Sequence, residues 1–236
     1  MVKPDLTARR AKVRTVIRRL EARFGRQLWR RDADGVSELV GTILSQNTSN
    51  RNSSQAYDRL VEAFGDWDAA ADAPVARIER AIRPAGLSRQ KSRRIKAILR
   101  AIRADRGELS LEFLGKLPVA QARDYLRRFK GVGPKTVGCV LLFSFNQPIL
   151  PVDTHIHRIA IRLGLIGPKV SAEAAHAALE TLVPPRQFYN FHILLIRHGR
   201  TVCKAHRPRC HDCNLRPICP GGRDFIRRGL AAGSVR

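Results

Sequence analysis

Apolar residues recur at steps of three and four along most of this chain, and this spacing constrains the fold more than any other feature. In residues 7–24, for example, Val13, Val16, Ile17 and Leu20 share one face of a helix, with arginines between them. No segment shows the alternation of apolar and polar residues that predicts a strand. Glycines and prolines separate the apolar segments, so we predict an all-α fold with short connections. Further helices are predicted over residues 36–46, 54–64, 75–83, 89–104, 119–129, 135–145, 154–164, 172–183 and 186–198.

The charge balance predicts a polyanionic partner. The 236 residues include 44 Lys and Arg against 20 Asp and Glu, a formal net charge of +24. Nucleic acid is the expected partner, because each Lys or Arg that neutralises a phosphate also releases a counterion. A membrane is not expected, since no apolar run approaches the roughly 20 residues that span a bilayer. The N-terminal residues contain no uninterrupted apolar region, so we expect an intracellular protein.

The segment FKGVGPKT, residues 129–136, lies between two predicted helices. Gly131 and Gly133 allow backbone conformations that are closed to other residues. Pro134 suits the first position of a new helix, where its missing N–H costs nothing. The turn therefore exposes N–H groups at a helix N-terminus, which favours a phosphate. This pattern is typical of a helix-hairpin-helix DNA-binding element, and the alternative is a plain turn between helices.

Lys135 lies in the first turn of the helix that follows this hairpin. The positive end of the helix dipole and partial burial both favour a neutral amine there. A neutral lysine amine is a nucleophile that forms a Schiff base with a sugar carbon. Taken from this segment alone, the simpler interpretation is that Lys135 contacts a phosphate.

Asp153 precedes the predicted helix 154–164 in the segment PVDTHIHR, residues 151–158. Its structural interpretation is an N-cap. Its functional interpretation is a carboxylate that stabilises positive charge on a sugar and assists proton transfer. The two roles are compatible because capping fixes the carboxylate in place. His155 and His157 beside it lack a metal-ligand spacing, so structural roles or DNA contacts are expected of them.

Four of the five cysteines are spaced C-x6-C-x2-C-x5-C near the C-terminus, at Cys203, Cys210, Cys213 and Cys219. Four thiolates hold either a tetrahedral zinc ion or a 4Fe–4S cluster. Only one C-x2-C pair is present, and the long arms on either side favour the larger iron–sulfur group. Cys139 lies on an apolar helix and is predicted to be a buried core residue.

Taken together, these motifs resemble the endonuclease III family of helix-hairpin-helix DNA glycosylases and abasic-site lyases. The hairpin, the segment around Asp153 and the cysteine spacing occur in the family's order. The segments ILSQNTSN at 43–50 and AGLSRQKSRRI at 85–95 also resemble family motifs, and the resemblance covers roughly residues 20 to 220.

The resemblance implies two helical lobes with DNA bound across them. A six-helix barrel with the helix-hairpin-helix is expected over residues 36–147. A lobe holding the 4Fe–4S cluster is expected from residues 1–35 and 148–222, followed by a basic tail over 223–236 that is loosely ordered or faces the DNA.

The resemblance also implies roles for individual residues. Lys135 matches the catalytic lysine and Asp153 the family's aspartate, while Cys203, Cys210, Cys213 and Cys219 match the cluster ligands. Leu87 matches a residue that wedges into DNA beside the extruded base, and Gln46 or Asn47 lies where a polar side chain fills the vacated space. Lys130 stands where the family usually has proline, and we expect it to contact phosphate. Further DNA contacts are expected from Gly131, Val132, Gly133, Lys204, Arg207 and Arg209.

The implied function is that of a bifunctional glycosylase with abasic-site lyase activity, with oxidised pyrimidines in duplex DNA as expected substrates. We expect a monomer in the cytoplasm, associated with the nucleoid if the source is bacterial. The departures in ILSQNTSN fall in a segment that reads the lesion or its partner, and leave the preferred base open. One alternative is a monofunctional or mismatch-type glycosylase with weak lyase activity. Another is a non-catalytic protein that binds damaged DNA.

Overall fold

The computed structural model describes residues 5–231, and every regular element within that range is helical, as the sequence predicts. The α-helices are α1 (Leu6–Phe24), α2 (Gly35–Leu44), α3 (Asn50–Phe64), α4 (Trp67–Asp72), α5 (Val75–Ala81), α6 (Ser88–Arg106), α7 (Val119–Arg127), α8 (Pro134–Cys139), α9 (Thr154–Leu163), α10 (Ala172–Glu180), α11 (Phe188–Thr201) and α12 (Pro220–Arg227). A π-helical turn, Val140–Ser144, continues α8, and short 3₁₀ segments lie at Arg83–Ala85, Glu112–Lys116, Pro185–Gln187 and Arg216–Ile218. Within these residues, no helix combines the length and apolar character needed to cross a membrane.

The chain divides into two compact units. The central unit is residues 30–147, and the terminal unit combines residues 1–29 with residues 148–236. The division after residue 147 lies where the family resemblance places it, whereas the first division lies a few residues before the expected residue 36. The N- and C-terminal parts of the chain therefore fold together, and the hairpin belongs to the other unit.

In the central unit, α2 packs against α3, α6 and α8. Its apolar face is buried because Leu39, Ile43 and Leu44 recur at helical spacing. Asp34 fixes the start of α2, since its carboxylate accepts hydrogen bonds from the N–H groups of Val36 at 2.8 Å and Ser37 at 3.0 Å. Asp34 therefore defines where α2 begins, and α2 as a whole packs against α8, which follows the hairpin.

In the terminal unit, α11 packs against α1 and α9, and α12 packs against α9. The basic tail expected over residues 223–236, loosely ordered or facing the DNA, is ordered in its first part, because residues up to Arg227 belong to α12 (Pro220–Arg227). Pro220 occupies the first helical position, and Cys219 Sγ accepts the N–H of Gly222 at 3.2 Å. The ring of Phe225 also lies 4.5 Å below the guanidinium of Arg162. Residues 232–236 of the predicted tail lie outside the described residues.

Candidate functional site

The sequence predicts that two glycines give the hairpin between α7 and α8 its special backbone conformation. Only one of them adopts a conformation that requires glycine. Gly131 has φ +83°, which side-chain-bearing residues rarely adopt. Gly133 has φ −93° and ψ 179°, which any residue adopts, so the expectation of special conformational freedom there is wrong. Within the described residues, neither glycine N–H has a protein acceptor, and both residues are exposed. The hairpin thus presents donors outward at the start of α8.

The side chains that flank these donors differ in exposure. Lys130 is exposed, as a phosphate contact requires. Val132 is 6% exposed, and its N–H donates to the carbonyl of Phe129 at 3.1 Å. Val132 therefore holds the hairpin to the core, and its side chain is not placed to meet DNA.

Lys135 occupies the second position of α8, where the helix dipole disfavours an ammonium. It is partly buried. Glu38 of α2 lies near enough for the Lys135 charge to act on it. Burial raises the pKa of Glu38 to about 7, against the lowering effects of a hydrogen bond from Thr42 and of the Lys135 charge. Glu38 is therefore a much weaker acid than an exposed glutamate.

Gln46 is fixed by hydrogen bonds on both sides of its amide. Its Nε2 donates to the carbonyl of Gly131 at 3.2 Å and to Thr136 Oγ1 at 3.3 Å, and its Oε1 accepts from Arg94 Nη1 at 2.8 Å. Asn47 is exposed instead, with φ +53°. Of the two polar residues predicted here, Gln46 braces the hairpin and Asn47 projects outward.

Leu87 is 54% exposed and has φ +48°, an unusual combination for a large apolar residue. The turn that carries it is fixed by Lys91, which is 1% exposed. Lys91 Nζ donates to the carbonyls of Leu44 at 2.8 Å and Ala85 at 2.9 Å. The buried Lys91 side chain therefore connects the end of α2 to the turn before Leu87. These hydrogen bonds fix the backbone that carries the exposed leucine.

Asp153 caps α9, because its Oδ1 accepts the N–H of Ile156 at 2.8 Å. The two neighbouring histidines have structural partners. His157 Nε2 lies 2.9 Å from the carbonyl of Val170, and His155 Nδ1 lies 3.1 Å from Arg158 Nη2. The cap leaves Asp153 with a fixed position in the terminal unit, at the start of a helix.

Cys203, Cys210, Cys213 and Cys219 line one pocket in the terminal unit. Burial raises the pKa of the Cys210 and Cys219 thiols, and raises that of Cys213 to about 11. Thiols in this dry pocket become thiolates only beside a compensating cation. Arg162 Nη1, 3.3 Å from Cys203 Sγ, is one donor to the sulfurs. Within residues 5–231, no group of three or more Cys, His, Asp or Glu side chains is placed around a single metal ion.

The loop between the cysteines is basic and outward-facing. Lys204, Arg207 and Arg209 are exposed, and Arg207 has φ +46°. Arg158 ties the loop to α9 by donating from Nη2 to the carbonyl of Cys203 at 2.8 Å. By contrast, Cys139 is 3% exposed on α8, which confirms the predicted core position.

A model of the HhH-GPD superfamily of base excision DNA repair proteins matches residues 40–185, which include the hairpin, Lys135 and Asp153. The chain belongs to this superfamily. Its resemblance to endonuclease III is confirmed by two relatives of that name. The enzyme from Sulfolobus acidocaldarius is 34% identical over 77% of this chain and 79% of its own length. That from Thermotoga maritima is 31% identical over 95% of this chain and 97% of its own.

Two further comparisons, one with a curated protein and one with a solved structure, extend this result. A putative DNA glycosylase of Arabidopsis thaliana is 40% identical over 70% of this chain. The matched region spans 56% of that protein's length. A solved complex of endonuclease III with DNA has a TM-score of 0.79 to this structure, with 27% identity, covering 92% of this chain and 98% of that one. The all-helical fold implied by the family resemblance is thereby supported over most of the chain.

Three residues of this HhH-GPD site are absent from the sequence-based prediction: Glu38, Lys91 and Arg94. Lys91 and Arg94 make tertiary hydrogen bonds that spacing does not reveal, and Glu38 is marked by the burial that raises its pKa. The sequence contains one indication of their roles. Helical periodicity places the charged residues Glu38 and Lys91 beside apolar residues, where a buried charge needs a partner.

The two hairpin glycines offer a matched pair of substitutions. Gly131→Ala forces a side chain into left-handed backbone and places its Cβ 2.2 Å from Arg94 Cζ. We expect it to cost about 1–2 kcal/mol and to lower the Tm by several degrees. Gly133→Ala meets no heavy atom within 4 Å and should leave the Tm nearly unchanged. Equal Tm values for the two variants in thermal unfolding would contradict this description of the hairpin.

Proposed function

We propose that the protein is a bifunctional DNA glycosylase with abasic-site lyase activity that acts, as an intracellular monomer, on oxidised pyrimidines in duplex DNA. The observation that carries this proposal is Lys135, a partly buried amine in the first turn of α8, directly after outward-facing hairpin donors. A glycosylase that only hydrolyses the base from its sugar has no need for an amine nucleophile at this position. The similarity to two relatives named endonuclease III supports the same reaction class.

DNA binding in this proposal begins with charge. Exposed Lys130 and the hairpin N–H groups contact phosphates of the damaged strand, and these contacts position the duplex without reading its sequence. Leu87 is the wedge that offsets the loss of stacking when the target nucleotide leaves the helix. Asn47, exposed at the end of α2, fills the vacated space, since the amide of Gln46 is already engaged.

In the chemical step, the neutral Lys135 amine attacks C1′ of the extruded nucleotide and the base departs. The base leaves with the electron pair of its bond to C1′. The C1′–O4′ bond then breaks and the ring oxygen takes a proton from Nζ, which leaves a protonated imine between Nζ and the opened sugar. Loss of a proton from C2′ then breaks the bond to the 3′ phosphate by β-elimination. The Asp153 carboxylate stabilises the positive charge that develops on the sugar.

The four cysteines fit a 4Fe–4S cluster, because they share one dry pocket and receive hydrogen bonds at sulfur from Arg162 and from the Gly222 N–H. When bound, the cluster supplies four iron–sulfur bonds that cross-link the loop and a capacity for one-electron chemistry. The cysteines hold the loop so that Lys204, Arg207 and Arg209 face phosphates. Iron and sulfide quantification of the purified protein tests this assignment, and stoichiometric zinc would overturn it.

A panel of duplexes, each carrying one defined lesion, tests the function. Base loss and strand cutting are scored separately, and borohydride is added to reduce any imine to a stable adduct. We expect base loss and cutting on oxidised pyrimidines, together with a covalent protein–DNA adduct on abasic duplex. Base loss without an adduct would establish a monofunctional glycosylase, and salt-sensitive binding without either reaction would establish a non-catalytic protein.

A further inference from the structure

Two exposed side chains of the central unit stand on left-handed backbone. Asn47 has φ +53° and Leu87 has φ +48°, and both side chains are exposed. Residues that carry a side chain rarely adopt this conformation, and it persists only where the surrounding structure holds it in place. The backbone on either side of each residue must therefore be held by other groups.

Lys91 provides this restraint for both turns. Beside Leu87, its Nζ donates to the carbonyl of Ala85 at 2.9 Å, and its backbone N–H donates to the carbonyl of Leu87 itself at 2.9 Å. Beside Asn47, its Nζ donates to the carbonyl of Leu44 at 2.8 Å. Leu44 ends α2, and the carbonyls at the end of a helix lack intrahelical donors and favour a cation. A single residue thus binds the chain close to both exposed side chains.

A role in packing alone does not account for this lysine. Lys91 is 1% exposed, and both acceptors of its ammonium are backbone carbonyls, although a lysine is almost never fully buried without a partner for its charge. Burial lowers the pKa of Lys91, and the charge of Arg94 lowers it further, so the ammonium is less stable here than in water. A methionine would fill the same space without that cost. What a methionine would not provide is a donor to both turns.

We propose that Lys91 is a positioning residue that holds Asn47 and Leu87 as one preformed unit, so that both side chains enter the DNA duplex together. The inference rests on the proposed function, which gives these two residues their insertion roles. Unstacking a base already costs free energy, and ordering a flexible turn at the same moment would add to that cost. Turns that are fixed before binding avoid the added cost. Lys91 itself is buried below the surface that meets DNA.

The test compares two substrates that differ in their need for insertion. Lys91→Met keeps the approximate volume of the side chain and removes the ammonium donor. On a duplex with one oxidised pyrimidine, we expect single-turnover base removal to slow about 10- to 100-fold, because a small displacement of a positioned group is enough to cause such a loss. On a single-stranded oligonucleotide with one abasic site there is no stacked duplex to open, and strand cutting should change less than about twofold.

Lys96→Met is the matched control for this variant. Lys96 lies on the same helix, α6, and its Nζ donates to the carbonyl of Ala73, which is remote in sequence from both exposed side chains. The control therefore removes the same charge and a hydrogen bond of the same kind, and both rates should stay at the wild-type level. Thermal unfolding of each variant fixes an assay temperature at which all of them are folded.

A second comparison removes the side chains that Lys91 is proposed to position. In an Asn47→Ala/Leu87→Ala background, Lys91→Met should have almost no further effect on base removal from the duplex, because mutations that disable one shared function are not additive. If Lys91→Met does not fold, Lys91→Gln, which keeps an N–H donor on a shorter side chain, takes its place with the same expectations.

Two results would overturn the inference while the wild type is active. One is an equal loss of rate on the duplex and the single strand, which would make Lys91 a support of the whole fold. The other is an undiminished effect of the Lys91 substitution in the Asn47→Ala/Leu87→Ala background. A wild-type protein that neither removes bases nor cuts abasic strands would instead overturn the proposed function on which the inference rests.

Discussion

Lys135→Ala is expected to abolish the borohydride-trapped adduct and to slow strand cutting at abasic sites on the order of 10³-fold or more. The reason is chemical, since alanine offers no lone pair to attack C1′ and no imine forms to promote β-elimination. Lys135 is partly buried in the first turn of α8, and alanine is the best helix former, so the fold should persist. The measurement is denaturing electrophoresis of a labelled abasic duplex, with and without borohydride.

Lys116→Ala is the matched control for this prediction. Lys116 is exposed in the same central unit, and its removal subtracts the same charge from the protein. The control should trap and cut as the wild type does. A Lys135→Ala variant that still forms the adduct would assign the nucleophile to a different amine. Binding to undamaged duplex should fall only slightly in both variants, because each removes only one of the 44 basic side chains.

The helical fold was predictable from the sequence because two local features agree. Apolar residues at three- and four-residue steps define the buried faces, and glycines or prolines stand where helices end. Helix α4, Trp67–Asp72, was missed because six residues are too few to show a period. Helix α12 was missed because Pro220, Gly221 and Gly222 are typical of a loop, and only the packing of α12 against α9 makes them helical.

The candidate site was predictable only where the chemistry lies within a continuous motif. Lys135 and Gly131 are marked by the hairpin, and the cysteines by their spacing. Arg94 is far from Gln46 in sequence, and only tertiary packing brings the two side chains into hydrogen-bond contact. The burial that shifts the pKa of Glu38 is likewise a property of the fold, which no local pattern encodes.

The network around Gln46 explains why polar residues in one short motif have different roles. Gln46 and Asn47 are neighbours, yet the amide of Gln46 is satisfied by Arg94 and the hairpin while Asn47 is exposed in left-handed backbone. A satisfied amide would have to break these bonds to enter DNA, whereas an exposed one only exchanges water for a base edge. In the proposed function we therefore assign the insertion role to Asn47, which sequence spacing left open.

Asp153→Asn is expected to slow base removal and strand cutting about 10²- to 10³-fold while leaving the stability almost unchanged. Asparagine caps helices as well as aspartate does, so its side-chain oxygen should keep the hydrogen bond from the Ile156 N–H. What it loses is the negative charge that would stabilise the cationic sugar. The measurement is single-turnover kinetics on lesion-containing and abasic duplexes, together with thermal unfolding.

Asp66→Asn makes the same change at another N-cap, where the carboxylate accepts the N–H of Ala69 at 2.7 Å. This control should change neither rate nor stability. Asp153→Ala, in contrast, removes cap and charge together and should cost about 1 kcal/mol of stability as well as activity. If Asp153→Asn cut DNA at the wild-type rate, the carboxylate would be a cap alone. Because capping and catalysis require different properties of this side chain, the asparagine variant separates them within one position.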